Sequence, residues 1–126
     1  MTKSIDAAGV ETAYEFDAMG RPTKVVFPAG GASYGQFFYS LLGQLTTTVE
    51  LGGYQEHRAY DHVGRITLVS DSVGDINYRY NSLGLLTEVV DALAHSTNYA
   101  YDGALSLTKE TDAIGKTREY AYDSSG

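Results

Sequence analysis

The chain has 126 residues, a formal net charge of −7 and no cysteine, and 43% of its residues are hydrophobic against 20% charged. This length fits one ordinary domain of a folded protein, and the acidic charge with scattered Lys and Arg works against binding to nucleic acid or to an anionic membrane surface. The lack of cysteine excludes a disulfide framework and a thiolate metal site, and no apolar run approaches the roughly 18 residues of a membrane-spanning helix.

A motif recurs along the whole chain at a nearly fixed interval, which is the signature of a repeat architecture. It first reads Tyr-Glu-Phe-Asp-Ala-Met-Gly, and its six copies occupy 14–20, 37–43, 58–64, 78–84, 99–105 and 120–126. The last residues of successive copies are 23, 21, 20, 21 and 21 residues apart. The sequence is therefore organised as about six repeats.

Two columns of the aligned repeats are aromatic. Four residues before the end of each copy stand Phe16, Tyr39, Tyr60, Tyr80, Tyr101 and Tyr122. Two residues earlier stand Tyr14, Phe37, Arg58, Tyr78, Tyr99 and Tyr120. Because side chains alternate along a strand, residues two apart lie on the same face. The columns therefore predict strands with one aromatic face.

Turn motifs separate these strands. Asp-x-x-Gly ends three of the six copies, and variants of it end the other three. A second motif of the same kind begins seven residues later, at 71–74, 91–94 and 112–115, with weaker forms at 27–30 and 50–53, and it also occurs near the start of the chain at 6–9. The first Asp can accept a backbone N–H two residues on, and the Gly can take a left-handed conformation that feeds the returning strand. Each motif predicts a hairpin turn. A threonine column lies between the two motifs, at Thr23, Thr46, Thr67, Thr87 and Thr108.

The repeat thus predicts strand, turn, strand, turn. Six copies predict an all-β antiparallel meander of about eleven or twelve short strands, with no helix. The stretch 28–34 contains Pro-Ala-Gly-Gly and is interpreted as a loop or bulge within one segment, 1–126, rather than as a domain boundary. A single layer of this kind needs a cover for its aromatic face, and its edge strands favour self-association.

The array Tyr-x-Tyr-Asp-x-x-Gly-x-Leu-Thr resembles the YD-repeat or Rhs-repeat family over the whole chain. That family includes bacterial Rhs polymorphic toxins, wall-associated YD-repeat proteins, C components of ABC-type insecticidal toxin complexes, and animal teneurins. The resemblance implies a curved ribbon of hairpins that forms part of a β-shell, and in the bacterial members a shell around a toxin or other cargo. It implies neighbouring repeats and the cargo as partners, and a secreted or cell-surface location. The sequence itself shows no targeting signal.

Five positions depart from the family pattern without breaking the array. Leu105 replaces a turn Gly, Ser40 and Asn81 replace a turn Asp, Arg58 replaces an aromatic residue, and Pro22 replaces an apolar strand residue. The Asp-Pro-x-Gly-Leu motif, which takes part in autoproteolytic cargo release in many members, does not occur, so self-cleavage is not expected. The chain starts inside one half of a repeat and stops at a turn, which favours an excised segment of a larger protein.

The recurring carboxylates are interpreted as turn residues. Asp17, Asp61, Asp102 and Asp123 share one turn position, and Asp6, Asp71, Asp91 and Asp112 share the other. A glycosidase-type pair would need two carboxyl groups in unlike environments at one pocket, and a Ca²⁺ site would need several oxygen ligands close together. The spacing singles out neither arrangement. A cation bound along a rim of stacked turns is the weaker alternative.

The histidines His57, His62 and His95 occupy unrelated repeat positions and are expected to be exposed. The sequence has no zinc-ligand spacing, no Gly-x-Ser-x-Gly elbow and no phosphate-binding loop. We therefore expect no catalytic, binding or metal site, no cofactor and no enzyme activity.

The tyrosine columns are the constellation with functional weight. Aromatic rings on a sheet can bind sugars, as has been suggested for this family, but repetition in every unit favours cross-strand packing. We expect a non-catalytic wall segment of a shell that encloses and helps deliver cargo. The alternative is a surface module that recognises carbohydrate or a partner protein through the aromatic face or an edge strand.

Overall fold

Twelve β-strands and their connecting turns make up the part of the chain that the structure describes. The structure is a computed structural model, and it describes residues 2–5, 7–27 and 34–123. The loop predicted at 28–34 lies outside these residues except for Tyr34, which begins a strand. The turn predicted at 6–9 is described from Ala7 onward.

The chain divides into two compact units, 1–59 and 60–126. The strands of the first unit are β1 (Thr2–Ile5), β2 (Glu11–Phe16), β3 (Pro22–Val26), β4 (Tyr34–Tyr39), β5 (Leu45–Val49) and β6 (Gln55–Tyr60), and the last residue of β6 opens the second unit. The strands of the second unit are β7 (Ile66–Ser70), β8 (Asp75–Tyr80), β9 (Leu86–Val90), β10 (Ser96–Tyr101), β11 (Leu107–Thr111) and β12 (Thr117–Glu119).

Within each unit, every strand runs antiparallel to the strand before it in the chain. In the second unit Val89 lies between Tyr78 on one side and Thr97 on the other. The prediction of an all-β antiparallel meander of hairpin repeats is confirmed. A 3-10 turn at Leu51–Gly53 connects β5 to β6, and the described residues contain no α-helix.

Strands β6 and β8 each present one face that is more covered than the other. Alternate residues of β8 are half-buried, and the residues between them are exposed; the half-buried ones are Ile76, Tyr78 and Tyr80. No hydrophobic residue in the described ranges is fully buried. Among the described residues of each unit, the aromatic face therefore belongs to a single layer with no second layer packed upon it.

Candidate functional site

In most of the described four-residue turns, the side chain of the first residue holds the turn together. In the turn at 61–64, Oδ1 of Asp61 accepts the backbone N–H groups of Val63 and Arg65, both at 3.0 Å. The N–H of Gly64 donates to the carbonyl of Asp61 at 3.0 Å, and Gly64 has a φ of 90°. This left-handed conformation is one that glycine adopts without steric cost. The predicted turn is confirmed.

The same side-chain bonds recur in six further turns, with Ser40 and Asn81 replacing aspartate in two of them. These turns lie at 17–20, 40–43, 81–84, 91–94, 102–105 and 112–115. Leu105 and Ala94 take the glycine position with φ values of 67° and 62°. A left-handed residue other than glycine costs about 1–2 kcal/mol. The side-chain bonds of Asp102 and Asp91 hold these two turns despite that cost.

The threonine column occupies a β-bulge. The register between β8 and β9 shifts between Arg79 and Tyr80, which leaves Thr87 as the extra residue. The hydroxyl of Thr87 donates to the carbonyl of Arg79 at 3.3 Å. Thr46 and Thr108 donate to the equivalent carbonyls at 3.2 Å. The sequence shows the column but not its role, because the register shift is a property of two paired strands.

Tyrosine hydroxyl groups connect successive hairpins. Tyr80 donates to the carbonyl of Ile66 at 2.8 Å, and Tyr101 donates to the carbonyl of Leu86 at 2.7 Å. In the first unit, Tyr39 donates to the carbonyl of Pro22 at 2.9 Å. Each acceptor is the residue directly before a threonine of the threonine column. The tyrosine column nearest the turns is therefore a repeated structural link.

Two arginines reinforce this link from the neighbouring turn. The guanidinium carbon of Arg65 lies 4.5 Å from the ring centroid of Tyr80, and its Nε donates to Oδ2 of Asp61 at 2.7 Å. Arg21 lies 4.5 Å from the ring of Tyr39 and bonds Asp17 in the same way. A guanidinium over an aromatic face is attracted by the ring quadrupole. Each arginine thus joins its own turn to the aromatic residue of the next hairpin.

A charged side chain interrupts the tyrosine face on β11. Glu110 pairs with Tyr99 on one side and Arg118 on the other, and the hydroxyl of Tyr120 donates to it at 3.4 Å. Burial, together with the nearby Glu110 charge, raises the pKa of Tyr99. Sequence reasoning missed this cluster, although a signal was present: Val89 holds the equivalent position one repeat earlier.

The first unit has an open groove of about 280 Å³ on its aromatic face. Gly35 lies in this groove, and the missing side chain leaves space between Val25 and Phe37. Phe27, Thr48, Val49 and Glu50 complete its lining. The groove contains one carboxylate and no matching acid or base, so its geometry offers a shallow apolar surface rather than a reaction site.

Three of the described carboxylates accept local hydrogen bonds that lower their pKa. The backbone N–H of Arg21 holds the pKa of Asp17 below its ordinary value, and the N–H of His95 does the same for Asp91. The hydroxyl of Ser96 lowers the pKa of Glu88. A glycosidase-type general acid needs a raised pKa. These three groups have the opposite shift.

The three histidines are exposed, as predicted. His57 Nδ1 lies 3.1 Å from Thr47 Oγ1, and His95 Nδ1 lies 3.1 Å from Asp91 Oδ2. Among the residues that the structure describes, no group of His, Asp and Glu has an arrangement suited to a metal ion. Over the same residues, no helix is both long and apolar enough to cross a membrane.

Exposed aliphatic residues occupy the third position of several turns, a feature that sequence reasoning did not single out. In the second unit we define the first rim as the turns 61–64, 81–84 and 102–105, and the second rim as 71–74, 91–94 and 112–115. The aliphatic residues are Val63 and Leu83 on the first rim, and Val73, Leu93 and Ile114 on the second. In the sequence, these exposed residues are indicated by the pattern Asp-x-aliphatic-Gly and its variants.

Comparison with known proteins agrees with this architecture. The RHS repeat family model matches residues 1–32 and 60–95, which is more than half of the chain. No curated protein matches the sequence. Among solved structures, the chain is similar to the one described as the crystal structure of TcdB2-TccC3 without hypervariable C-terminal region, with 16% identity and a TM-score of 0.74. The similarity covers 93% of this chain but 7% of that chain.

The structural likeness shows the fold, and the chain spans only a small part of the matched protein. The family match rests on the sequence itself and includes repeats from both units. The repeated turns, bulges and tyrosine links give that match a structural basis. The chain belongs to the RHS repeat family.

Proposed function

We propose that the chain is a non-catalytic wall segment of a larger bacterial shell protein, which encloses a toxin or other cargo and helps to deliver it. The wall would run through 1–126 as one segment, and the parent protein would be secreted or located at the cell surface. Membership of the RHS repeat family and the all-β hairpin fold support a structural role. The partners in this proposal are the neighbouring repeats and the cargo.

The observation that carries the proposal is the repeated tyrosine link. Tyr39, Tyr80 and Tyr101 each donate a hydroxyl hydrogen bond to the preceding hairpin at 2.7–2.9 Å. A binding site requires a local cluster, whereas a wall requires a contact that recurs along the array. The recurrence of one contact at equivalent positions supports the wall.

The same residues are poorly suited to binding a sugar. A sugar ring packs on the face of an aromatic ring and receives hydrogen bonds from nearby polar groups. In this protein Arg21 and Arg65 lie over the rings of Tyr39 and Tyr80, and the two hydroxyl groups donate to backbone carbonyls. The ring and the hydroxyl group of each of these two tyrosines therefore already contact other groups of the protein.

Partial coverage of the aromatic face supports the need for neighbouring repeats. None of the described hydrophobic residues is fully buried, so the face lacks part of the stabilisation that full burial provides. Further repeats or cargo packed on this face would supply the missing burial. We therefore expect the isolated chain to be strand-rich but only marginally stable.

The test uses the natural polypeptide that contains this chain. Enclosure predicts that its cargo region resists a nonspecific protease in native buffer, and that Tyr80→Ala combined with Tyr101→Ala makes that region sensitive. Ser82→Ala, an exposed change in the same hairpin, is the matched control and should leave the resistance intact. If the protease cleaves the cargo region equally fast in the natural polypeptide, in the double tyrosine variant and in Ser82→Ala, enclosure is contradicted.

A glycan array on the isolated chain tests the other function. Binding that disappears in the tyrosine variants without a change in their melting curve would replace the wall by a recognition module.

A further inference from the structure

The first unit departs from the repeat at one strand position, Gly35. In the other five repeats the equivalent position carries a side chain, and these residues are Thr12, Glu56, Ile76, Thr97 and Arg118. The backbone does not require glycine here, because the φ of Gly35 lies outside the left-handed region and an added Cβ would lie 3.5 Å from the carbonyl oxygen of Val49. Glycine inside a strand weakens the strand and often marks a place where a ligand approaches the backbone.

A second departure, Glu50, lies opposite the first. Gln36 pairs with Val49 in the register of β4 and β5, and one further step places Glu50 across from Gly35 on the aromatic face. The turns at 71–74, 91–94 and 112–115 begin with an aspartate whose carboxylate accepts an N–H of its own turn. The equivalent turn at 50–53 begins with Glu50, and among the described residues it is closed by its backbone, with the N–H of Gly53 donating to the Glu50 carbonyl at 3.1 Å. The longer side chain thus releases the carboxylate from the turn.

The two departures meet in the groove of about 280 Å³ on the first unit. Val25, Phe27 and Phe37 supply apolar walls, and Glu50 is exposed beside them. No basic residue lines the groove in the part of the unit that the structure describes. The ion pairs described in this unit use other carboxylates, namely Glu11, Asp17, Glu15 and Glu56. The groove therefore combines an apolar surface with one carboxylate that the turn and the described basic residues leave available.

We propose that this groove binds a small amine in which a short chain joins an aromatic ring to an ammonium group. The ring packs beside Val25 and Phe37 in the space left by Gly35, and the ammonium group pairs with Glu50. An apolar cavity of about 150 Å³ holds one benzene ring. A volume of about 280 Å³ therefore accommodates the ring together with a short alkyl chain.

Charge complementarity selects an ammonium group over a neutral or acidic one. The chain has a net charge of −7, which repels carboxylates and phosphates and concentrates cations at its surface. A neutral aromatic ligand would cover part of Glu50 and leave its charge with less water and no partner, which costs free energy. An ammonium group avoids that cost because it pairs with the carboxylate. The inference does not depend on the enclosure of cargo.

The binding should be weak, because the groove is open and Glu50 is exposed. A ligand with so few contacting atoms should have a dissociation constant on the order of 1 mM. An exposed ion pair contributes little, so loss of the charge on either partner should weaken binding by about fivefold. Loss of the space beside Gly35 should abolish binding, since the ring then has no place to pack.

The experiment is a ¹H–¹⁵N NMR titration of the full 126-residue chain with phenethylamine. Phenethyl alcohol, which has a hydroxyl group in place of the ammonium group, tests the charge. Ethylamine, which lacks the ring, tests non-specific attraction to the acidic surface. We expect phenethylamine to give saturable shifts of the amides of Gly35, Phe37 and Thr48. The alcohol should bind at the same amides about fivefold more weakly, and ethylamine should give no saturable shift there.

Two substitutions separate the contributions of charge and space. Glu50→Gln should bind phenethylamine about fivefold more weakly and should no longer distinguish the amine from the alcohol. Gly35→Val should abolish binding of both ligands while the chain remains as resistant to urea as the native one or becomes more so, because valine favours strands. Gly35→Ala, a smaller change, is the second variant if valine prevents folding. Far-UV circular dichroism verifies that each variant remains strand-rich.

Glu15→Gln is the matched control for charge. It removes the same charge from the first unit, but Glu15 lies opposite Lys24 in β3 and does not line the groove. This variant should bind phenethylamine as the native chain does.

Four results would overturn the inference: no saturable shifts at the groove, equal affinity of the native chain for the amine and the alcohol, native discrimination by Glu50→Gln, or native affinity of a folded Gly35 variant. Saturable shifts confined to other amides would also overturn it, since the amine would then bind elsewhere on the acidic surface. The protease test of cargo enclosure uses neither Gly35 nor Glu50, so failure of the amine site and failure of the wall function are distinguishable.

Discussion

The turns at 61–64 and 81–84 have the same backbone but different chemistry. Both bind the N–H groups of the third and fifth residues through their first side chain at 3.0 Å. Asp61 also pairs with Arg65, whose guanidinium covers the ring of Tyr80. Asn81 is neutral, and Leu85 replaces the arginine.

This difference distinguishes the contacts that the turn requires from those that only add stability. A side-chain oxygen at the first position and a left-handed residue at the fourth are sufficient to form the turn, because the 81–84 turn has both and no charge. The ion pair and the arginine over the ring add contacts to the next hairpin.

The largest expected effect is the loss of a linking tyrosine. Tyr80→Ala removes half-buried ring area, a hydroxyl hydrogen bond and the ring beneath Arg65, and should lower the free energy of unfolding by about 2–3 kcal/mol. Tyr101→Ala removes similar area and a similar hydrogen bond, and should cost less. Urea denaturation of both variants gives the comparison. Equal losses would mean that the arginine contact contributes nothing.

Replacement of a left-handed glycine should give the second-largest loss of stability. Gly64→Val places a β-branched residue at a φ of 90° and should cost about 1–2 kcal/mol. Gly84→Val should cost more, because its Cβ would lie 3.2 Å from Nη1 of Arg65. Replacement of Arg65 by Ala should remove this excess, as measured in a double-mutant cycle by urea denaturation. Unaltered stability of Gly64→Val would contradict the turn assignment.

In the turn at 102–105 the opposite substitution, of a left-handed residue by glycine, should stabilise the chain. Leu105 has a φ of 67°, so Leu105→Gly should stabilise the chain by about 1 kcal/mol through relief of left-handed strain. The thermal midpoint should rise. A fall in the midpoint would show that contacts of the Leu105 side chain outweigh the backbone strain.

Removal of the Asp61 charge should have the smallest effect on stability, and the effect should be seen in the dependence of stability on acidic pH. Burial raises the pKa of Asp61, but hydrogen bonds from Arg65 and Val63 outweigh it and hold the pKa below its usual value. A lowered folded-state pKa contributes stability above the unfolded value of about 3.9, and this stability is lost as pH falls through the folded value. Asp61→Asn should reduce the stability difference between pH 6 and pH 2, measured by urea denaturation at each pH. Asn81→Ala, which carries no charge, should leave that difference unchanged.

The sequence predicted the parts of the fold that depend on local chemistry. Asp61 and Gly64 lie in one turn, and their spacing alone indicates the hydrogen bond and the left-handed residue. The alternation of Tyr78 and Tyr80 likewise indicates a shared face. These features repeat, so each copy supports the interpretation of the others.

The links between hairpins, which sequence reasoning missed, depend on the register between strands. Arg65 and Tyr80 are far apart in the chain, and their contact requires the pairing of two hairpins. Thr87 gains its role only because the opposite strand is one residue shorter. The tyrosine hydroxyl acceptors are backbone atoms, which no residue pattern reveals.

The tyrosine link also bears on how such proteins change over time. The hydroxyl groups of Tyr80 and Tyr101 each donate to the hairpin directly before their own. Stability of such an array is close to a sum over neighbours. A gene that gains or loses one repeat in register changes the contacts at one junction between hairpins. Every other tyrosine link stays as it was. Unequal recombination between repeats can therefore adjust the length of the array without a new core being invented.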